Sequence, residues 1–429
     1  MTTFLRVTAS RLLDGSDAVE EQAPCVVLRH GQVWLVGDEA CRARLPEGES
    51  AELRLPGQTI LPGFVDVHTH LTLGTGYRTY EDVMEHDSSE LMAIRAVVNA
   101  RRHLAAGVTT LRDCGGRGFI AVAARRAEEA GLFVGPRILA SGPPITPTGG
   151  HFWWCGGEAD NPDAVRTKAR CLFKNGVDFL KIMASGGATV GTDSRHSSYS
   201  PEEIRAATAE ADRVGKKTTA HAIAKAGIAS AIEGGVHQIE HMSFQNPDGS
   251  YSFDSEAAAR VVEKRIVVSP TIQTGYRELE KLRQQKAPSA SDRARCEAYE
   301  RKLEAKLSFV ARFRDLGATI VAGTDAIREF GDYGLGLRLL HDAGLSPLEV
   351  VRAATSDAAM AIGLQDVGLL RSGYAADVIA VDGNPLEDVT AFARVTLVIR
   401  AGRVVATSGD LDEAHDLTPP ASGVAANTA

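Results

Sequence analysis

Eight times between residues 59 and 326 an apolar, β-branched run ends in small or polar residues, and helical stretches fall between most of these runs. They read "TILPGFVDVHTH", "VTTLRDCGG", "RILASGPPI", "DFLKIMASGG", "KKTTAHA", "QIEHMS", "RIVVSPTI" and "TIVAGTDA". Strands buried on both faces that alternate with helices form parallel sheets, and eight of them predict an α/β chain closed into a (β/α)8 barrel. Two intervening helices announce their starts: "SPEE" at Ser200 and "SPLE" at Ser346 each offer a serine cap, a first-turn proline and a glutamate three residues on.

A parallel barrel gathers the carboxyl ends of its strands on one face, so chemistry must be sought where the runs end. His68 and His70 close the first run, Lys181 lies in the fourth, His221 closes the fifth, His241 lies in the sixth, and Asp325 closes the eighth. In an extended strand, residues two apart share a face, so His68 and His70 point the same way and can hold one metal ion. Four imidazoles, a carboxylate and a lysine predict a site for two divalent metals. An ammonium cannot ligate a cation, but a carbamate formed from Lys181 and carbon dioxide would be an anion able to bridge two dications that otherwise repel.

The ends of the chain follow a different pattern. Short strands such as "PCVVLRHGQVWLVGD", "ADVIAVDG" and "VTLVIRAGRVVA", separated by glycine-containing turns, predict one small β-sandwich built jointly from residues 1–62 and 364–415, around a barrel of residues 63–363. The tail at 416–429 reads as disordered. The longest insertion, about residues 277–317, carries an apolar seam at Tyr299, Leu303, Leu307 and Val310, and its many charges read most simply as a solvated face, with a lid or subunit contact as the alternative.

Composition narrows the partners. The net charge is -8, with no Lys/Arg block, which argues against nucleic acid and for a small-molecule substrate. No apolar run approaches a membrane span, and the amino terminus lacks a signal-peptide pattern, so a cytoplasmic location is expected. The six cysteines form no C-x-x-C pair and read as reduced, buried thiols.

The motifs "DVHTH", "RDCGG", "KIMASGG", "TAHA", "IEHM" and "GTDA", occurring in that order and followed by "GLLRSGYAADVIAVDGNPLED", resemble the amidohydrolase superfamily over about residues 55–410. Within it they resemble the branch of imidazolonepropionase-related enzymes, Xaa-Pro and Xaa-Arg dipeptidases and ochratoxin-hydrolysing amidases. The resemblance implies a distorted barrel with a small β-sandwich and a homo-oligomer, with an octamer as the candidate assembly. It also implies that His68 and His70 bind the buried metal with Asp325, that His221 and His241 bind the outer one, and that a carboxylated Lys181 bridges them. Zinc is the expected metal, and the same ligands accept cobalt or manganese.

The chemistry so implied is hydrolysis of a C–N bond by metal-activated water. Asp325 would take the proton and pass it to the leaving amine, and His151 of "TPTGGH" would be a second donor to the developing oxyanion. The favoured substrates are dipeptides or N-acyl amino acids with a free carboxylate, with arylamides of the ochratoxin type as a further class. Tyr276 stands where the dipeptidase branch has a tyrosine that helps hold that carboxylate, with Arg277 beside it. Arg195, His196 and Arg328 are further loop candidates, and Trp153 and Trp154 either wall the pocket or cover the barrel mouth. One departure is plain: after "GTDA" this branch continues with glycine and then a His-Gly pair, whereas here "IREFGDYG" follows. Two rival readings remain at this stage, a cyclic amidase or deaminase acting on an imidazolone-like ring and a non-catalytic binding barrel.

Overall fold

The structure is a computed structural model that describes residues 3–22, 24–74, 82–83 and 86–407. Five strands come first: β1 (Phe4–Leu13), β2 (Val19–Glu20), β3 (Cys25–Arg29), β4 (Gln32–Val36) and β5 (Ser50–Pro62). Seven short strands follow, alternating with helices: β6 (Phe64–Thr69), β7 (Val108–Asp113), β8 (Arg137–Ala140), β9 (Phe179–Met183), β10 (Lys217–Ala224), β11 (Gln238–Gln245) and β12 (Val267–Ser269). The last three are β13 (Val378–Asp382), β14 (Val395–Arg400) and β15 (Arg403–Thr407).

Strands β6, β7 and β8 pair in parallel, as do β9, β10, β11 and β12. Single parallel bridges join the two runs at both seams. At one seam Ile145 donates its N–H to Lys181 O (2.8 Å) and Met183 returns a bond to Ile145 O (2.8 Å). At the other, the segment 319–326 lies between β12 and β6: Val321 N–H bonds Val268 O (3.0 Å), Val67 N–H bonds Ala322 O (3.2 Å), and Asp325 N–H bonds His68 O (2.7 Å). The eight expected runs therefore enclose one barrel. The eighth is not a regular strand, because Asp325 sits at φ 53, in the left-handed region where a ladder cannot continue. The third is interrupted by its two prolines between β8 and Ile145.

Every residue of β6, β7 and β9 is buried, as expected of a parallel sheet with its inner face packed and its outer face under helices. Both capping boxes form, at Ser200 with Glu203 and at Ser346 with Glu349. Strands from both chain ends make one hydrogen-bonded sheet in the order β15-β14-β13-β5-β1-β3-β4, with β2 on β1. Its strands share an apolar core that includes Val7, Val26, Leu28, Ile60, Val378 and Ile399, so the two chain ends pack jointly, as expected of one small β unit. Gly63 is the hinge between sandwich and barrel: a Cβ there would fall 2.1 Å from Thr109 Oγ1, so only glycine lets β5 run directly into β6. The expected disordered tail at 416–429 lies outside the described residues.

The insertion folds as helices Tyr276–Arg283 and Ala290–Asp315. Leu303, Leu307 and Val310 pack on the barrel core as the seam predicts, but the expectation of a wholly solvated charged face needs correction. Lys302 and Lys306 fall at the same helical spacing as the seam and line the cavity at the barrel mouth. All six cysteines are free, although Cys41 and Cys171 are exposed rather than buried. Among the described residues no helix is long and apolar enough to cross a membrane.

Candidate metal centre

Period-two alternation on β6 brings His68 and His70 to one face, with their Nε2 atoms 3.3 Å apart. What the other nitrogen of each ring meets decides what these atoms can do. His68 Nδ1 is 2.9 Å from Glu240 Oε2, and His70 Nδ1 is 2.7 Å from the carbonyl of Gly115; both partners are acceptors, so both rings carry their proton on Nδ1. The two Nε2 lone pairs therefore face each other. Asp325 Oδ1, a third acceptor, lies 3.4 Å from one and 3.3 Å from the other. Three acceptors converging beside the Lys181 ammonium, 3.4 Å from His68 Nε2, form a cradle suited to a cation.

A second pair of imidazoles adjoins the first. His241 Nε2 is 2.8 Å from His221 Nδ1, the His221 and His241 ring centroids are 4.4 Å apart, and those of His68 and His241 are 5.4 Å apart. His221 Nε2 faces the carbonyl of Gly186 at 3.1 Å, which leaves its Nδ1 lone pair for His241 or a metal. His241 Nδ1 is held by the Thr271 hydroxyl at 2.7 Å. His241 (φ 70), Thr271 (φ 42) and Asp325 (φ 53) all adopt left-handed backbone, a strained conformation that recurs where side chains must be aimed. His151 joins the group with its ring 4.6 Å from that of His221 and its Nδ1 2.7 Å from Thr189 Oγ1. Glycine is required opposite it, since a Cβ at Gly187 would lie 2.5 Å from His151 Nε2.

The electrostatics favour neutral rings. Burial pushes His68 down to about 4, with the Lys181 ammonium adding to the effect, and burial pushes His151 down to about 3. Burial likewise holds His221 and His241 well below the usual imidazole range. For Asp325 burial works in the opposite sense, but His68, His70 and His241 outweigh it and keep the carboxyl well below its ordinary value. Neutral imidazoles and an ionised carboxylate are the protonation states a divalent cation requires.

The residues lie at the wall of one cavity enclosing about 600 Å³, open to solvent, which His70, His151, Lys181, His221, His241 and Asp325 share with Phe152, Thr274, Lys302 and Lys306. Other expected contacts lie elsewhere. Arg277 is clamped by Asp332, with Nε–Oδ2 at 2.6 Å and Nη2–Oδ1 at 2.9 Å, and by Glu280. Tyr276 accepts a bond from Arg338 at 2.9 Å. Neither residue lines the cavity. Arg195 is exposed and forked onto Asp193, His196 lies 3.6 Å from the same carboxylate, and Arg328 is exposed outside the cavity wall. Trp153 is exposed, whereas Trp154 packs beneath the mouth with its ring 4.5 Å from Phe152. The departure in "IREFGDYG" thus has a structural counterpart: Asp332 of this loop is what engages Arg277.

Several supporting residues escaped the sequence reading. Glu240, fully buried behind His68, also accepts from Arg112 Nη2 (2.8 Å), Thr219 Oγ1 (2.5 Å) and Gln238 Nε2 (2.8 Å). Burial alone would raise the Glu240 carboxyl, but His68 and the Arg112 guanidinium hold it well below the usual carboxylate range. The adjacency in "IEH" gave no signal for it, since regular alternation would send Glu240 and His241 to opposite faces, and the left-handed backbone at His241 (φ 70) departs from that pattern.

A closed parallel barrel with imidazoles, an aspartate and a lysine at its strand ends is the arrangement of metal-centred barrel hydrolases. The chain belongs to the Amidohydrolase family, whose sequence profile matches residues 59–405. Ochratoxinase of Aspergillus niger is 29% identical over 381 residues, covering 80% of this chain and 75% of that protein, and its crystal structure superposes with a TM-score of 0.80 over 95% and 96% of the two chains at 25% identity. A Xaa-Pro dipeptidase with methionine bound in its active site gives a TM-score of 0.82 at 27% identity, covering 94% of this chain and 100% of that one. A prolidase complexed with N-methylphosphonate-L-proline gives 0.81 at 28% identity, with coverage of 94% and 100%. The protein is accordingly a metal-dependent hydrolase acting on C–N bonds.

Proposed function

We propose that the protein cleaves the amide bond of dipeptides or N-acyl amino acids bearing a free carboxylate, using two divalent metals. The observation that carries this reading is the convergence of the His68 and His70 lone pairs with Asp325 and Lys181, next to the His221–His241 pair. His68, His70 and Asp325 would hold one ion and His221 and His241 the other. Zinc is the metal this donor set favours, with cobalt or manganese also compatible.

Lys181 supports the bridge. It is almost fully buried, and among the described residues no carboxylate lies within ion-pair distance of it, an unusual setting for an ammonium. A neutral Nζ adding to the carbon of carbon dioxide forms an N–C bond and, on losing a proton, yields a carbamate anion. Such a group would place one negative charge where two dications meet.

When bound, the metals acidify water toward neutral pH and polarise the scissile carbonyl. The remaining work falls to the chain. Asp325, retaining 14% side-chain exposure at the cavity and ionised in this setting, accepts the proton of the attacking water and delivers it to the departing amine. His151 lines the same cavity, with Nδ1 occupied by Thr189 and Nε2 left to donate to the oxyanion. Glu240 and Arg112 orient the His68 ring from behind.

The named relatives support a carboxylate-bearing substrate, since methionine and N-methylphosphonate-L-proline both carry one. The cytoplasmic location and the homo-oligomer belong to the same reading and rest on the sequence and its resemblance. The test is a panel of dipeptides, N-acyl amino acids and ochratoxin-type arylamides assayed with protein of measured metal content. Amine release that disappears on chelation and returns with zinc is expected; full turnover with metal confirmed near zero overturns the reading.

A further inference from the structure

We propose that Lys302, on the helix Ala290–Asp315 of the insertion, is the residue that binds the free carboxylate of the substrate. The inference rests on the amide-hydrolase reading and gives its substrate class a physical reader.

Outside the centre itself, and among the described residues, the cavity wall carries two cationic side chains, Lys302 and Lys306, one helical turn apart and on one face of their helix. They are not equivalent. Lys306 is only 3% exposed, and its Nζ donates to the backbone carbonyl of Thr271 at 2.7 Å, so its ammonium serves the residue whose hydroxyl holds His241. Lys302 is half-buried at the cavity, and among the described residues it makes no hydrogen bond or ion pair. Burial disfavours its charge and Asp325 across the cavity favours it, but no carboxylate among the described residues pairs with it directly, so an incoming carboxylate finds an open partner.

Two other cations considered for this role are already engaged, Arg277 by Asp332 and Glu280 and Arg195 by Asp193. Lys302 lines the same cavity as Asp325, so a substrate whose amide lies at Asp325 can extend its carboxylate toward the insertion helix. The ligand class is an α-amino acid or its N-acyl derivative with the carboxylate free.

The experiment measures binding and turnover separately on metal-loaded protein. Calorimetric affinity for methionine is compared with that for methioninamide, and kcat/KM for N-acetylmethionine with that for its carboxamide, in the wild type, Lys302→Met and Lys302→Arg. The acid-over-amide preference is expected to fall about 10- to 100-fold in Lys302→Met through affinity and KM, to recover in part in Lys302→Arg, and to leave metal content at the wild-type level. Lys306→Met serves as the contrast, with its loss appearing in metal retention. An undiminished preference in Lys302→Met at full metal occupancy overturns the proposal. A wild type that binds the acid through Lys302 yet hydrolyses neither compound would instead sink the amide-hydrolase reading, so the two failures are distinguishable.

Discussion

At β6 the deeper histidine, His68, is fixed from behind by a buried charged network, whereas at β10 and β11 the rings are fixed by a carbonyl and a hydroxyl. His68 leans on Glu240, which Arg112, Thr219 and Gln238 hold in turn. His221 leans on Gly186 O, and His241 on Thr271 Oγ1. The carboxylate can only accept, so it locks the His68 tautomer and makes Nε2 a better donor to a cation; the hydroxyl can give or take, and leaves His241 adaptable. The difference teaches that, with two ions bound as proposed, the one at β6 would be held more firmly and the one at β10 and β11 would exchange more readily.

The largest effect that tests this comparison is expected at the residue the halves share. Lys181→Ala removes the proposed bridge, and activity should fall by about 10³-fold or more, with metal content dropping below two per chain by elemental analysis. Unchanged occupancy would dissolve the link between the halves. Next comes Glu240→Gln, which preserves shape and removes charge: metal affinity or activity should fall about 10- to 100-fold, measured by competition with a chelator. Thr271→Val, which takes the hydroxyl from His241, should cost less than about tenfold and mainly weaken the more readily removed ion. Equal losses in these two variants would break the comparison.

A smaller effect should appear in metal-free protein titrated with acid. His68 is lowered from 6.5 to about 4, and His103, buried beneath Thr69, from 6.5 to about 3, in both cases by burial first. Between these values and 6.5 the unfolded chain binds more protons than the folded one, so stability rises with pH across that window. The contribution is fully present above pH 6.5 and is lost as pH falls toward 4 and then 3. Denaturant midpoints that stay flat from pH 7 to 4.5 would show that these rings are not buried neutral.

Much of the centre was legible because its residues stand at the ends of recognisable strands. His70, Lys181, His221, His241, Asp325 and His151 all line one cavity, and His68 meets His70 with their Nε2 atoms 3.3 Å apart. The contacts assigned to loops fared differently. Arg277 was chosen for its charge, but its charge is spent on Asp332, 55 residues away in sequence. Lys302 and Lys306 looked like members of a solvated face because a charged helix reads alike whichever side meets the barrel. Glu240 went unnoticed because its role depends on His68, 172 residues before it.

By itself the sequence determined the strand-and-helix alternation, the helix caps and the positions where imidazoles and carboxylates end the strands. These are local properties, set by side-chain period, capping chemistry and turn residues within a few positions of one another. The tertiary structure alone decided which charges are neutralised, which ring nitrogen is left free and which helix lends its lysines to the cavity. Those outcomes depend on distances between groups far apart in the chain, and a distance of a few ångströms separates a buried ion pair from an ammonium left open to a substrate.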